Sequence, residues 1–404
     1  MSLEHALSLE LQHLESIGRL RATETLCGAD RLHPRDSDGR ELVCFASNDY
    51  LGLSSHPALM SAATAAIRDH GSGSAASRLV SGETPPHRAL EDALASFLGT
   101  EAALLFPTGY QANVGTLTAL AGPQDFIASD AANHASLIDG CRLSRSRVGI
   151  FEHGNPDSAE LALRAAPSSA RRRFIVTESL FSMDGDRAPL AALSALATRF
   201  DATLIVDEAH ALGVLGPSGR GLSAALGLRP EIRIGTLGKA FGSAGGFVAG
   251  SHRLRTVLLN RARTFIYTTA APASLAAAAL AALHIIEAPE GESLRAALSR
   301  NLARIRARLP NQALGPHPAS AVDQILPVIV GPDTAATELA ARLRSEGLVA
   351  TAIRPPTVPE NTARLRITVS AAHVASDIDR LVRGLLAALA GTRAPSAAMG
   401  APRA

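Results

Sequence analysis

The sequence has almost no lysine. Of its 39 basic residues all but one are arginine, and the exception is Lys239. Arginine and lysine solvate a surface equally well, so the skew reflects a general bias toward Ala, Arg, Gly and Leu. A lysine that survives this bias points to chemistry that arginine lacks. A guanidinium keeps its proton at any accessible pH, whereas an amine can lose it, attack a carbonyl and form an imine. Cysteine is also scarce, and Cys27, Cys44 and Cys141 are spaced too widely for a disulfide framework or a tetrahedral metal site, so no metal is expected. An excess of one charge is missing as well. With 39 basic against 37 acidic residues the formal net charge is +2, and the densest basic run is Arg171-Arg172-Arg173, which excludes an extended nucleic-acid footprint. Long apolar runs are absent: Ser274 to Ile286 is too short to span a bilayer, and the acidic, amphipathic Met1 to Glu15 lacks the pattern of a signal peptide. The sequence therefore predicts no membrane partner and a cytoplasmic location.

What is present fits a globular chain. At 404 residues, 47% hydrophobic and 19% charged, it can build one large or two ordinary domains. Leu3, Leu7, Leu11 and Leu14 stand at helical spacing, predicting an N-terminal helix that packs on something distant in sequence. From about residue 56, Ala/Leu helices alternate with short apolar runs: Ala102 to Phe106, Phe126 to Ala128, Phe174 to Thr177, Ala202 to Val206, Ile232 to Gly235 and Gly246 to Ala249. This alternation predicts an α/β fold with a mostly parallel, helix-covered sheet. Ligands of such sheets sit beyond the carboxyl ends of the strands. A break near Glu287 to Glu292 sets off a smaller segment with strands near Ile325 to Val330 and Arg364 to Val369. The expected division is an N-terminal helix and connection over 1–55, a large domain over 56–286, a small C-terminal α/β domain over 287–390 and a disordered tail over 391–404.

Several motifs fail on inspection. Gly71-Ser72-Gly73-Ser74-Ala75-Ala76 follows a helical stretch where a dinucleotide fingerprint would follow a strand. Gly238-Lys239 lacks the flanking residues of a phosphate-binding loop, and Ser182, Asp207 and His210 come without a nucleophile elbow around any serine. One constellation holds together. The run Ala202 to Val206 delivers Asp207 at its carboxyl end with His210 three residues on, and Ile232 to Gly235 leads into Thr236-Leu237-Gly238-Lys239. Taken alone, Asp207 reads equally as a helix cap. Next to the sole lysine at a neighbouring strand end, it matches what pyridoxal phosphate requires: an amine to hold the aldehyde and a carboxylate to keep the pyridine nitrogen protonated. Thr108-Gly109-Tyr110 follows a strand and opens a helix whose N-terminal amides can bind a phosphate, with Thr236 as a second ligand. His134, also just past a strand, can lie against the cofactor ring.

These segments resemble a known family. His134-Ala135-Ser136-Leu137-Ile138-Asp139-Gly140, Phe181-Ser182-Met183-Asp184-Gly185-Asp186, Val206-Asp207-Glu208-Ala209-His210 and Thr236-Leu237-Gly238-Lys239-Ala240-Phe241-Gly242 are similar to motifs of the α-oxoamine synthases, and the likeness runs from Phe45 to His373. The resemblance implies a fold-type I pyridoxal-phosphate transferase that condenses an amino acid with an acyl thioester and releases carbon dioxide. Ile353-Arg354-Pro355-Pro356-Thr357-Val358-Pro359 and Thr362-Ala363-Arg364-Leu365-Arg366 are most similar to the branch that joins L-alanine to a pimeloyl thioester, carried by coenzyme A or an acyl carrier protein. By the same resemblance Lys239 carries the cofactor, Asp207 pairs with its ring nitrogen and His134 stacks on it. His210 and Ser182 meet its phenolic oxygen, while Gly109, Tyr110 and Thr236 meet its phosphate. Arg366 receives the amino-acid carboxylate, and Thr357 and Arg21 line the substrate site, with Arg19 a near neighbour of Arg21. The family is homodimeric with active sites at the subunit interface, and Thr268 and Thr269 reach the partner's phosphate. The alternatives are a sibling synthase using glycine or serine, and a noncatalytic scaffold of the same fold.

Overall fold

The structure, a computed structural model, describes residues 1–309 and 323–392. The expected tail lies almost wholly outside the described residues. Twelve strands are found among them. In chain order these are β1 (Val43–Cys44), β2 (Ala102–Phe106), β3 (Phe126–Asp130), β4 (Arg147–Phe151), β5 (Arg173–Glu178) and β6 (Ala202–Asp207). They continue with β7 (Ile232–Thr236), β8 (Gly246–Gly250), β9 (Ile325–Gly331), β10 (Leu348–Val349), β11 (Thr351–Ile353) and β12 (Ala363–Thr368). The chain divides into two compact units. One comprises Asn48–Ser299 with Ser370–Ala372; the other comprises Met1–Ser47, Arg300–Val369 and the residues from His373 on.

The first unit holds a seven-stranded sheet in the order β2-β8-β7-β6-β5-β3-β4. The pairs β4/β3, β3/β5, β5/β6 and β6/β7 are parallel, and only β8 runs against its neighbours. Alternate side chains explain why both faces are covered. Ile127, Val176, Ile205 and Ile234 pack with Leu117, Leu137 and Cys141 of the helices Gly109–Leu120 and Ala135–Ser144. Phe126, Ile175, Leu204 and Val206 face the other way, onto Ala159 and Leu163 of Pro156–Arg164 and Leu190, Leu193 and Leu196 of Leu190–Arg199. Such doubly covered strands read as continuous apolar runs, and each fully buried branched residue contributes about 1.5–3 kcal/mol. The parallel arrangement of β3, β5, β6 and β7 puts their carboxyl ends, and therefore Asp130, Glu178, Asp207 and Thr236, along one edge.

The second unit holds the antiparallel sheet β11-β12-β9 and the short parallel pair β1/β10. Its N-terminal helix, Leu3–Ser16, forms as expected, with Ser2 capping His5 N–H. The expected packing does not: no residue of that helix is buried, and Leu3, Leu7, Leu9 and Leu11 are exposed on the chain. Leucine spacing sets the amphipathic pattern but does not supply a surface for it to cover.

Candidate active site

Lys239 and Asp207 leave the sheet at the same edge because β6 and β7 are parallel neighbours, with Asp207 opposite Ile234. The turn after β7 is closed by Gly242 N–H donating to Lys239 O at 2.9 Å and Ser243 N–H donating to Leu237 O at 2.9 Å. Gly242 has φ +61, and a Cβ there would stand 2.5 Å from Ser54 N, so only glycine lets this turn seat against the Ser54 backbone. Lys239 Nζ lies 2.7 Å from His210 Nε2, and the other ring nitrogen, Nδ1, lies 2.6 Å from Tyr50 Oη. Tyr50 in turn donates to Asn48 Oδ1 at 3.1 Å. His210 and Tyr50 are 4% and 0% exposed, so this file of polar groups is held inside the unit with its amine at the end.

Asp207 is fixed from two sides. Its Oδ2 accepts from Asn113 Nδ2 at 2.8 Å, and its Oδ1 accepts from Ala209 N–H at 2.8 Å. The next residue, Glu208, points elsewhere and accepts from Leu222 N–H and Ser223 N–H, both at 2.9 Å, which anchors the short helix Leu222–Ala225. Two adjacent acids thus divide their work, one toward the lysine's edge and one into the scaffold.

His134 caps the helix Ala135–Ser144, its Nδ1 accepting from Ser136 N–H at 3.2 Å. That bond places the ring proton on Nε2, which leaves an N–H donor for a ligand. The surrounding protein, Lys239 included, holds the imidazole below its ordinary value against the opposite pull of Asp207. Ser136 Oγ and Asp207 Oδ2 both accept from Asn113 Nδ2, so one amide ties the histidine's helix to the aspartate.

Gly109 and Tyr110 open the helix Gly109–Leu120, and Thr108 caps it by accepting from Gln111 N–H at 3.1 Å. A Cβ on Gly109 would lie 3.5 Å from Thr236 Oγ1, and one on Gly246 would lie 2.6 Å from Gly109 Cα, so Thr236 and the helix start are in direct apposition. Unsatisfied first-turn amides beside a threonine hydroxyl form an anion site. Tyr110 donates to Asp139, which raises its phenol above the usual value. Thr268 Oγ1 accepts from Gln111 Nε2 at 3.3 Å, so the segment with Thr268 and Thr269 flanks the same helix within one chain. Ser182 sits almost buried in the turn between Leu180 and Arg187. A lysine amine, a strand-end carboxylate and free amides beside a threonine hydroxyl at a helix start fit pyridoxal phosphate in the chemistry of their donors.

The remaining expected residues belong to the other unit. Arg21 donates to Pro355 O at 3.1 Å, two residues from the exposed Thr357. Arg19, its near neighbour in sequence, is occupied by Asp333 at 2.8 Å and Glu360 at 2.5 Å. Arg366 is 7% exposed on β12, between Thr351 of β11 and Pro327 of β9. Three residues at the sheet edge were not singled out from the sequence: Tyr50, Asn113 and Glu178. Tyr50 lies in the stretch from Phe45 to His373 that carries the family likeness, and Glu178 directly follows the apolar run Phe174 to Thr177, so each had a signal; Asn113 lies within an ordinary helix pattern.

With this geometry the chain belongs to the aminotransferase class I and II family, whose model matches residues 40–385. Within it the chain stands with the 8-amino-7-oxononanoate synthases, pyridoxal-phosphate-dependent acyltransferases. The synthase of Nitrosococcus oceani is 47% identical over 355 residues, covering 87% of this chain and 93% of that protein. That of Burkholderia thailandensis is 48% identical over 377 residues, 91% and 93% of the two chains. A variant of a serine palmitoyltransferase from S. paucimobilis, solved with a bound pyridoxal phosphate–myriocin aldimine, superposes with a TM-score of 0.89 over 97% of this chain and 99% of its own, at 28% identity. Pyridoxal phosphate is the cofactor. Among the described residues no single helix is long and apolar enough to cross a membrane.

Proposed function

We propose that the chain condenses L-alanine with a pimeloyl thioester to give 8-amino-7-oxononanoate, carbon dioxide and the free thiol carrier, a step of biotin biosynthesis carried out in the cytoplasm. The observation that carries the reading is the Lys239 amine and the Asp207 carboxylate at neighbouring strand ends, in a chain 47% identical to a named synthase. Pyridoxal phosphate, when bound, supplies an aldehyde that joins an amine and a ring that takes up electron density from the substrate α-carbon. Lys239 Nζ is its point of attachment and the base that moves the α-proton, oriented by His210 Nε2 with Tyr50 behind it. Asp207 would hold the protonated ring nitrogen, Ser182 and His210 the phenolic oxygen, and Gly109, Tyr110 and Thr236 the phosphate. His134 Nε2–H is the donor for an oxyanion developing on the thioester carbonyl. Arg366 takes the amino-acid carboxylate, and Arg21 and Thr357 line the substrate site.

The working unit in this reading is a homodimer, with Thr268 and Thr269 serving the partner's phosphate. Its support is the large side chains that a single chain leaves in water near that segment, Tyr267 at 72% and Val80 at 80% exposed. The carrier of the pimeloyl group is coenzyme A or an acyl carrier protein. The test is thiol release from pimeloyl thioester with L-alanine, glycine and L-serine in turn. Release that depends on L-alanine is expected; equal or faster release with glycine or serine would move the chain to a sibling specificity, and none with any of the three would sink the reading.

A further inference from the structure

Glu178 is the last residue of β5, directly opposite Asp207 in the parallel register of β5 and β6. It is 2% exposed. One carboxyl oxygen accepts from His134 N–H at 2.7 Å, while the Glu178 N–H donates to Asn133 Oδ1 at 3.2 Å. Asn133 is itself pinned, its Nδ2 donating to Ser129 Oγ at 3.0 Å and Val176 O at 2.9 Å. The strand end and the turn that carries His134 therefore hold each other through Glu178. No arginine or lysine forms an ion pair with it among the described residues.

Two carboxyl groups at facing positions of neighbouring strands, both shut off from water, do not ionise independently; the pair holds a proton on the member with the poorer support. Asp207 accepts from two donors, Asn113 and Ala209, and Glu178 accepts from one. We propose that Glu178 is a positioning residue: as an uncharged carboxylic acid facing Asp207 across the sheet edge, it fixes the turn bearing His134. Burial and then Asp207 push Glu178 up to about 8, with Asp130 of β3 acting in the same sense and Lys239 and the His134 N–H acting against them. The role of His134 rests on the reading of the site given above.

The test compares Glu178→Gln and Glu178→Asp holoenzymes with the original. Glutamine keeps an oxygen for the His134 N–H and has no charge to acquire; aspartate keeps the acid but is too short to reach. The infrared spectrum of the original holoenzyme at pH 7 should contain the carbonyl stretch of a protonated carboxyl that Glu178→Gln lacks, and this band should fade as pH rises through about 8. Glu178→Gln should lose at most about tenfold in kcat, whereas Glu178→Asp should lose about 100-fold with little change in the KM for L-alanine, the effect of a displaced catalytic group. Absence of the band, a glutamine variant as damaged as the aspartate one, or an aspartate variant as active as the original would each overturn the proposal. Should Glu178→Asp fail to fold, the band and the activity of Glu178→Gln decide. An inactive original protein would count against the synthase reading while the infrared comparison still judged Glu178.

Discussion

Two histidines follow strands at the same sheet edge and are pushed in opposite directions. His134, after β3, is exposed on the chain and bonded through Nδ1 to Ser136, and its imidazole lies below the ordinary value. His153, after β4, is wedged between Asp130 Oδ1 at 2.9 Å and Asp186 Oδ2 at 3.0 Å, with its ring edge-on to Phe181. Surrounding protein disfavours the charge on both, but the two aspartates outweigh it at His153 and raise it to about 10. One ring is kept neutral and open to a ligand; the other is a fixed cation that ties the end of β3 to the Ser182 turn. What separates the open histidine from the structural one here is the charge of its bonded partners.

Three substitutions can break this contrast. The largest effect belongs to Lys239→Arg, which keeps the charge and removes every lysine. It should lower thiol release by at least about 1,000-fold, and borohydride should no longer fix the cofactor to the peptide containing residue 239, as read by mass spectrometry. His134→Gln should cost about 100-fold in kcat with little change in melting temperature, because the proposed oxyanion donor is lost and no buried charge is exposed. If it lowers the melting temperature as much as the rate, His134 belongs with the structural class. His153→Gln should show the reverse, a small change in kcat and a loss of about 3 kcal/mol of stability, since it strands Asp130 and Asp186 without their cation.

The pH dependence sharpens the last of these. The folded value of His153 lies above its ordinary 6.5, so its contribution is complete below about that pH and is lost as pH rises through about 10. The gap in melting temperature between the original protein and His153→Gln should therefore be widest near neutrality and close above pH 10. A gap that persists there would show that His153 acts through packing on Phe181 and not through its charge.

The strands of the central sheet were legible because each is a short apolar run ending in a polar residue, a pattern that local chemistry writes into five or six consecutive positions. Lys239, Asp207, His210 and His134 were legible for the same reason, since each follows such a run closely. The antiparallel course of β8 was not: an apolar strand covered on both faces carries no mark of direction. Arg21 and Arg19 could not be separated by spacing, and only their partners, Pro355 and the Asp333/Glu360 pair, divide them. The exposed N-terminal helix shows the limit from the other side, an amphipathic pattern whose covering surface the pattern does not name.

By itself the sequence determined which residues form the strands and where chemistry stands relative to their ends, because those are properties of neighbours along the chain. Tertiary structure alone decided which strand ends meet. The order β7-β6-β5-β3 brings Glu178 opposite Asp207 and under His134, and the packing of distant segments brings Tyr50 to His210 across 160 residues and Asn113 to Asp207 across 94. Strand order and side-chain apposition arise from fitting two covered faces around one sheet, a global condition that no local run of residues encodes.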